Sequence, residues 1–147
     1  MSLLSIVLVS LLTIFTSVQR STAFVQNRSE ALDEMRLVID QMTKEIRQAT
    51  SVSASSTASM LSMNTYVLGV AKQIVYQASV SGLTRAVNGG TPQVLAKNLA
   101  SFNVFTYTDS VTTVQLVGMT LQVHPKFRPD TVLVLASEAR LRNRPAS

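Results

Sequence analysis

Hydrophobic and polar positions change their pattern three times along this chain. From Leu3 to Val18 every position is apolar or hydroxylic, and the first charge is Arg20. From Gln19 to Gln48 the chain is polar and charged, except for a stripe. Leu32, Met35, Ile39, Met42 and Ile46 recur at steps of three, four, three and four, which places them on one helix face. Val38 and Ala31 widen the stripe, while Glu34, Arg36, Asp40, Lys44 and Arg47 take the opposite side. Asp40 and Lys44 are spaced as an i,i+4 ion pair in the better orientation, worth a few tenths of a kcal/mol. No Pro or Gly occurs before Gly69, so nothing breaks the helix between the two regions. The pattern predicts one continuous helix from about Leu3 to about Gln48, roughly 70 Å long at 1.5 Å per residue. Such a rod outreaches any small domain, and its N-terminal half must be buried in something else. The stripe is expected to pack helix onto sheet, the ordinary use of an amphipathic face.

Residues 49–59, "ATSVSASSTAS", read as a Ser/Thr/Ala linker with no packing face. From Met60 onward, short runs rich in Val, Leu, Tyr, Phe and Thr predict strands: Met63–Gly69, Lys72–Gln77, Leu83–Val87, Val94–Ala96, Phe102–Thr108, Thr112–Val123 and Thr131–Arg142. "VNGG" at Val87–Gly90 and "TDS" at Thr108–Ser110 supply turns. No helical periodicity follows Gln48, so βαβ units are not expected. The reading is α+β: one long helix and an antiparallel sheet. Its parts are residues 1–23 as the apolar half of the helix, 24–48 as the amphipathic half, 49–59 as linker and 60–147 as the sheet domain.

Composition narrows the function classes. The length of 147 residues suits one domain with an appendage. Charged residues make up 14%, below the usual quarter. The net charge is +5, with Arg140, Arg142 and Arg144 bunched near the end and the other basic residues scattered. Three Tyr, five Phe and no Trp give no stacking platform for bases, so direct nucleic-acid binding is not expected. The absence of Cys excludes disulfides, thiolate metal sites and Cys nucleophiles. His124 is the only His, with no acidic neighbour nearer in sequence than Asp130; a metal site or catalytic triad needs partners around it. Glu30, Asp33 and Glu34 read as a solvated helix face. A calcium loop would need several oxygen ligands, and the loops offer only Asp109 and Asp130. Asn88–Gly90 is turn chemistry without a phosphate-loop context. Arg140, Arg142 and Arg144 fit charges guarding an edge strand. The expectation is no enzyme, no catalytic residue, no cofactor, no metal and no small-molecule substrate.

Four readings of the apolar segment compete. A secretory signal would match Ser21-Thr22-Ala23 as a small-residue cleavage site, but lacks a basic n-region. A membrane anchor would need about 20 apolar residues, a few more than this run supplies, and Arg20 and Arg28 lie on the wrong flank for a domain outside the cytoplasm. A buried core helix conflicts with the length of the rod. A helix whose true start lies upstream of Met1 removes both the short length and the missing basic flank.

The layout, and several short runs, resemble type IV pilins and pseudopilins, and within them the PilW-like minor pilins of the type II secretion J-type group. Ile39-Asp40-Gln41-Met42-Thr43-Lys44-Glu45-Ile46-Arg47-Gln48-Ala49 is similar to a run common in that group. "IVYQASVSGLTRAV" (Ile74–Val87) resembles its hairpin with Tyr and Gly-x-Leu-x-Arg. "QVLAKNLASFNVFTYTD" resembles a strand of the group, and "ARLRNR" (Ala139–Arg144) its ending. The leader, cleavage site and following Phe-Thr-Leu-x-Glu of family members have no counterpart here, which fits a translation start placed inside the helix.

The resemblance implies a pilin-like fold, with the helix packed on a small antiparallel sheet. It also implies a structural minor subunit that inserts in the cytoplasmic membrane, domain outside. That subunit would then help initiate or cap a type IV pilus or type II secretion filament, at the cell surface or in the periplasm. Its partners would be membrane lipid and other pilin or pseudopilin subunits, met through Leu3, Leu4, Ile6, Val7, Leu11, Leu12, Ile14 and Phe15. Ser5, Ser10, Thr13 and Ser17 could bond across to neighbouring helices or back to their own backbone. The alternative is a membrane-anchored or secreted β-domain that binds a ligand or partner and never polymerises.

Overall fold

A computed structural model describes residues 2–67, 69–108, 115–126 and 130–141, with side chains throughout except at 2–8, 20, 23, 24 and 67. The first element is α1 (Ser2–Gln48), with Arg47 in its last turn, where a cation favours the helix dipole. Among the described residues, eight strands follow as two antiparallel meanders, joined after the fifth strand. One sheet has the order β1 (Ala49–Val52), β2 (Met60–Val67), β3 (Val70–Ser79), β4 (Gly82–Val87), β5 (Gln93–Ala96). The other has the order β6 (Phe105–Thr108), β7 (Leu116–Val123), β8 (Leu133–Arg140).

Local chemistry fixes the reversals. Asn88 and Gly89 adopt φ of 51° and 69°, and the Gly90 N–H donates to the Val87 carbonyl at 2.9 Å. These are the left-handed conformations that match the twist of a hairpin. At the β3–β4 hairpin Ser79 pairs with Gly82, so only Val80 and Ser81 make the turn. Gly82 has φ +114°, and a Cβ there would lie 2.1 Å from the Ala96 carbonyl oxygen. Glycine is required both by the backbone angle and by the approach of β5.

The core lies between α1 and the inner faces of the sheets. α1 lies against β2 and β5 of one sheet and β7 and β8 of the other. Met35, Val38, Ile39, Met42 and Ile46 are buried and Leu32 packs at the margin, beside Leu61, Met63, Ile74, Leu83, Val117 and Leu121. The alternation along β7 is strict, with every second residue buried. Hydrogen bonds join the sheets: Phe105 N–H to the Ala58 carbonyl at 2.8 Å, and Ala100 N–H to the Gln122 carbonyl at 2.8 Å. The Tyr107 hydroxyl faces the carbonyls of Thr57 and Met60 at 2.9 and 3.0 Å, and burial pushes its pKa up to about 12.

Three expectations need correction. The pilin-like fold, one long helix on a single small sheet, is not the architecture found: among the described residues eight strands form two sheets, and sheet dominates the domain. Strand spacing shows where strands lie but not where the ladder is interrupted, and here it stops between Ala96 and Phe105. The expected membrane span is also absent from the described residues. Among the described residues no helix is long and apolar enough to cross a membrane. The uncharged run is shorter than the about 20 residues a span needs, and Ser5, Ser10, Thr13, Thr16 and Ser17 dilute it. The transmembrane helix and the single-pass inner-membrane localisation are therefore withdrawn, and the expected lipid contact rested on them. Finally, residues 49–52 of the supposed linker are strand β1, with Ala49 and Val52 buried. The call of a turn at Thr108–Ser110 falls partly outside the described residues, as do Asp109, Arg142 and Arg144.

Candidate assembly surface and its polar pin

The described side chains in the N-terminal half of α1 are open to solvent. Val9, Leu11, Leu12, Ile14, Phe15, Val18 and Val25 are each more than half exposed; the side chains of Leu3, Leu4, Ile6 and Val7 lie outside the described ones. Exposed apolar groups this dense are the usual mark of an interaction surface. Their arrangement continues the core stripe. Leu11, Val18, Val25, Leu32, Ile39 and Ile46 are spaced by sevens; the last two are buried against the sheets and the first three are open. A seven-residue aliphatic spacing keeps one seam facing a partner. Between Val9 and Phe15 apolar side chains occupy other sides of the helix too. The Thr13 hydroxyl donates to the Val9 carbonyl at 2.8 Å, Thr16 to Leu12 at 3.0 Å, and Thr22 to Val18 at 3.0 Å. These hydroxyls are satisfied by their own helix, leaving the surface effectively apolar.

The other end of α1 is pinned. Glu45 precedes the buried Ile46 and follows Met42 by three, so it borders the buried stripe. Arg85 follows the buried Leu83 by two on β4 and so shares its face, opposite Tyr76 on β3, and cross-strand partners on one face touch. The Arg85 guanidinium donates twice to Glu45, Nη2 to Oε1 at 2.8 Å and Nε to Oε2 at 3.1 Å. The Tyr76 hydroxyl donates to Oε2 at 2.6 Å. The Arg85 and Glu45 side chains are 18% and 15% exposed, and a bidentate pair of this kind has fixed geometry. The bond to Glu45 raises the Arg85 pKa. Burial, and then the same carboxylate, hold the Tyr76 hydroxyl well above its ordinary range. The carboxylate accepts these three bonds and a longer one from Gln41 Nε2 at 3.5 Å; the cluster fixes the helix on the five-stranded sheet.

Where α1 leaves the sheets, a cleft of ≈ 410 Å³ is lined by Glu30 and Glu34 on one side and Lys97, His124 and Lys126 on the other. The His124 Nδ1 lies 3.2 Å from the Thr131 carbonyl oxygen, which fixes the ring. Among the described residues no group of three or more His, Asp or Glu could hold a metal. Asp33 pairs with Arg36 at 3.3 Å in solvent, and Arg140 reaches Gln115 at 3.1 Å. The expected Asp40–Lys44 pair is not among the ion pairs of the described residues, which are Arg36–Asp33 and Arg85–Glu45.

No family model matches this chain, and no curated protein or solved structure matches it. Glu45, Tyr76 and Arg85 were not singled out from the sequence as a site. The available signal was local: a glutamate at the border of the apolar stripe, and an arginine on the apolar side of an alternating strand.

Proposed function

We propose that the protein is a structural assembly subunit, of the minor pilin or pseudopilin kind that the resemblance implies, and that its partners are helices of other subunits. The observation that carries this reading is the exposed apolar half of α1, continuous in register with the stripe that the domain buries. About 40 Å of helix precedes the first core contacts, at 1.5 Å per residue. Burying its Leu, Ile and Phe side chains gains on the order of 1 kcal/mol or more each. The polar pin sets the direction in which the two sheets present that helix. Helping to initiate or cap a filament, rather than building its shaft, rests on the resemblance alone. Membrane insertion is no part of the proposal.

Sedimentation velocity and electron microscopy of the full chain test it, with Leu11→Glu and Phe15→Glu as controls. The wild type should form oligomers or filaments, and the doubly substituted chain should be monomeric with unchanged helix content. A wild-type chain that stays monomeric at high micromolar concentration would overturn the proposal and favour the non-polymerising binding domain.

A further inference from the structure

The outer face of the five-stranded sheet has a composition unlike the rest of the surface. Ser51 of β1, Asn64 and Tyr66 of β2, Gln73, Val75 and Gln77 of β3, and Thr84 and Ala86 of β4 alternate with the inward-facing core residues; Ser62 of β2 shares their side but is buried. None of them is charged, in a chain with 21 charged residues by the count of 13 basic and 8 acidic. An ordinary solvated sheet face would carry Lys and Glu. Across this face a row of amides runs in register: Ser51 pairs with Asn64, and Asn64 with Gln73.

The row is held in place and only partly used. Asn64 Nδ2 donates to Ser51 Oγ at 3.3 Å, and Gln73 Nε2 donates to Ser62 Oγ at 3.3 Å. The Gln73 backbone N–H donates to Asn88 Oδ1 at 2.8 Å. Each amide side chain carries two donor hydrogens and an acceptor oxygen. One donor on each is engaged, so a donor and an acceptor on each remain for a ligand. Beside them Tyr66 is 52% exposed, offering an aromatic face and a hydroxyl tip. Thr50, Ser51, Asn64, Tyr66, Lys72 and Gln73 line an open, shallow groove of ≈ 350 Å³, at the lower end of the size range of small-molecule sites.

We infer that this groove is a binding site for a neutral saccharide. A sugar ring presents hydroxyls that both donate and accept, matching the unused half of each amide. It also presents an apolar C–H face, matching an exposed tyrosine ring. An anionic ligand would find a single cation, Lys72, and an apolar one would leave the amides desolvated without partners. The site shares no residue with the helix surface proposed for assembly.

The test is NMR titration of the full chain with maltotriose, cellotriose and triacetylchitotriose at millimolar concentration, with Tyr66→Ala, Gln73→Ala and Lys72→Met as variants. At least one sugar should shift the side-chain amides of Asn64 and Gln73. Both Tyr66→Ala and Gln73→Ala should weaken binding by about tenfold or more, and Lys72→Met should leave it unchanged. Absence of shifts with all three sugars, or shifts confined to other surfaces, would overturn the inference. So would binding that collapses with Lys72→Met or in added salt, since the groove would then select an anion. Tyr66 and Gln73 lie on the outer face, while Lys72 borders the groove from the opposite side of β3; an unchanged far-ultraviolet spectrum separates lost binding from lost fold.

Discussion

Replacing Glu45 with alanine removes the one acceptor shared by Arg85 and Tyr76. Its loss strands a guanidinium that is 18% exposed and a hydroxyl on a residue with no exposed surface. Breaking a fully buried pair costs about 3–5 kcal/mol, and an exposed one about 0–1 kcal/mol. The residual exposure of both side chains lowers the pair's own share. The orphaned Tyr76 hydroxyl adds about 1–3 kcal/mol, so the expected total is about 3 kcal/mol. At about 4 °C per kcal/mol for a domain of this size, Tm should fall by roughly 12 °C. The assay is urea unfolding of the wild type, Glu45→Ala, Arg85→Met and the double variant. Because Arg85→Met removes the charge that Glu45→Ala would strand, the double variant should be less destabilised than the sum, by about 1–2 kcal/mol. A cost below about 1 kcal/mol for Glu45→Ala, or an additive cycle, would refute the claim that this cluster fixes the helix on the sheet.

Other perturbations test other parts of the structure. Gly82→Ala places a methyl against the Ala96 carbonyl in a backbone region that alanine avoids; it should cost about 3 kcal/mol or more and expose the β5 amides first in hydrogen exchange. Met42→Ala, at a position with no exposed surface, should cost about 2–5 kcal/mol in thermal or denaturant unfolding. Tyr76 and Tyr107 both titrate above the ordinary value of 10.0 when folded. The native state therefore keeps protons that the unfolded chain releases from about pH 10 upward. Stability should be level below that pH and fall as pH rises through 10 to 12, by up to about 1.4 kcal/mol per unit for each tyrosine. Tyr76→Phe should remove part of that slope, which an alkaline series of urea titrations would show.

Much of the local structure was legible in the sequence, because it depends on spacing. The steps of three and four from Leu32 to Ile46 identify the face of α1 that the domain buries, and Asn88-Gly89-Gly90 identifies a reversal. Strand positions were read within a few residues, as with Gly82–Val87 against Leu83–Val87. The apolar run from Val9 to Val18 was visible too, and its described side chains are exposed. The strand at Ala49–Val52 was hidden, since Ser and Thr are read as linker until a neighbouring strand pairs with them.

What the sequence determined by itself is periodicity: which faces are apolar and where the chain turns. Two things were decided only in three dimensions. One is the division of the strands into two sheets, because ladder breaks depend on which edge the chain returns to after β5. The other is the meeting of Glu45, Tyr76 and Arg85, which are 31 and 40 residues from Glu45 along the chain. Periodicity is a property of neighbours a turn or a pleat apart, and a polar contact across such distances exists only after the helix has docked.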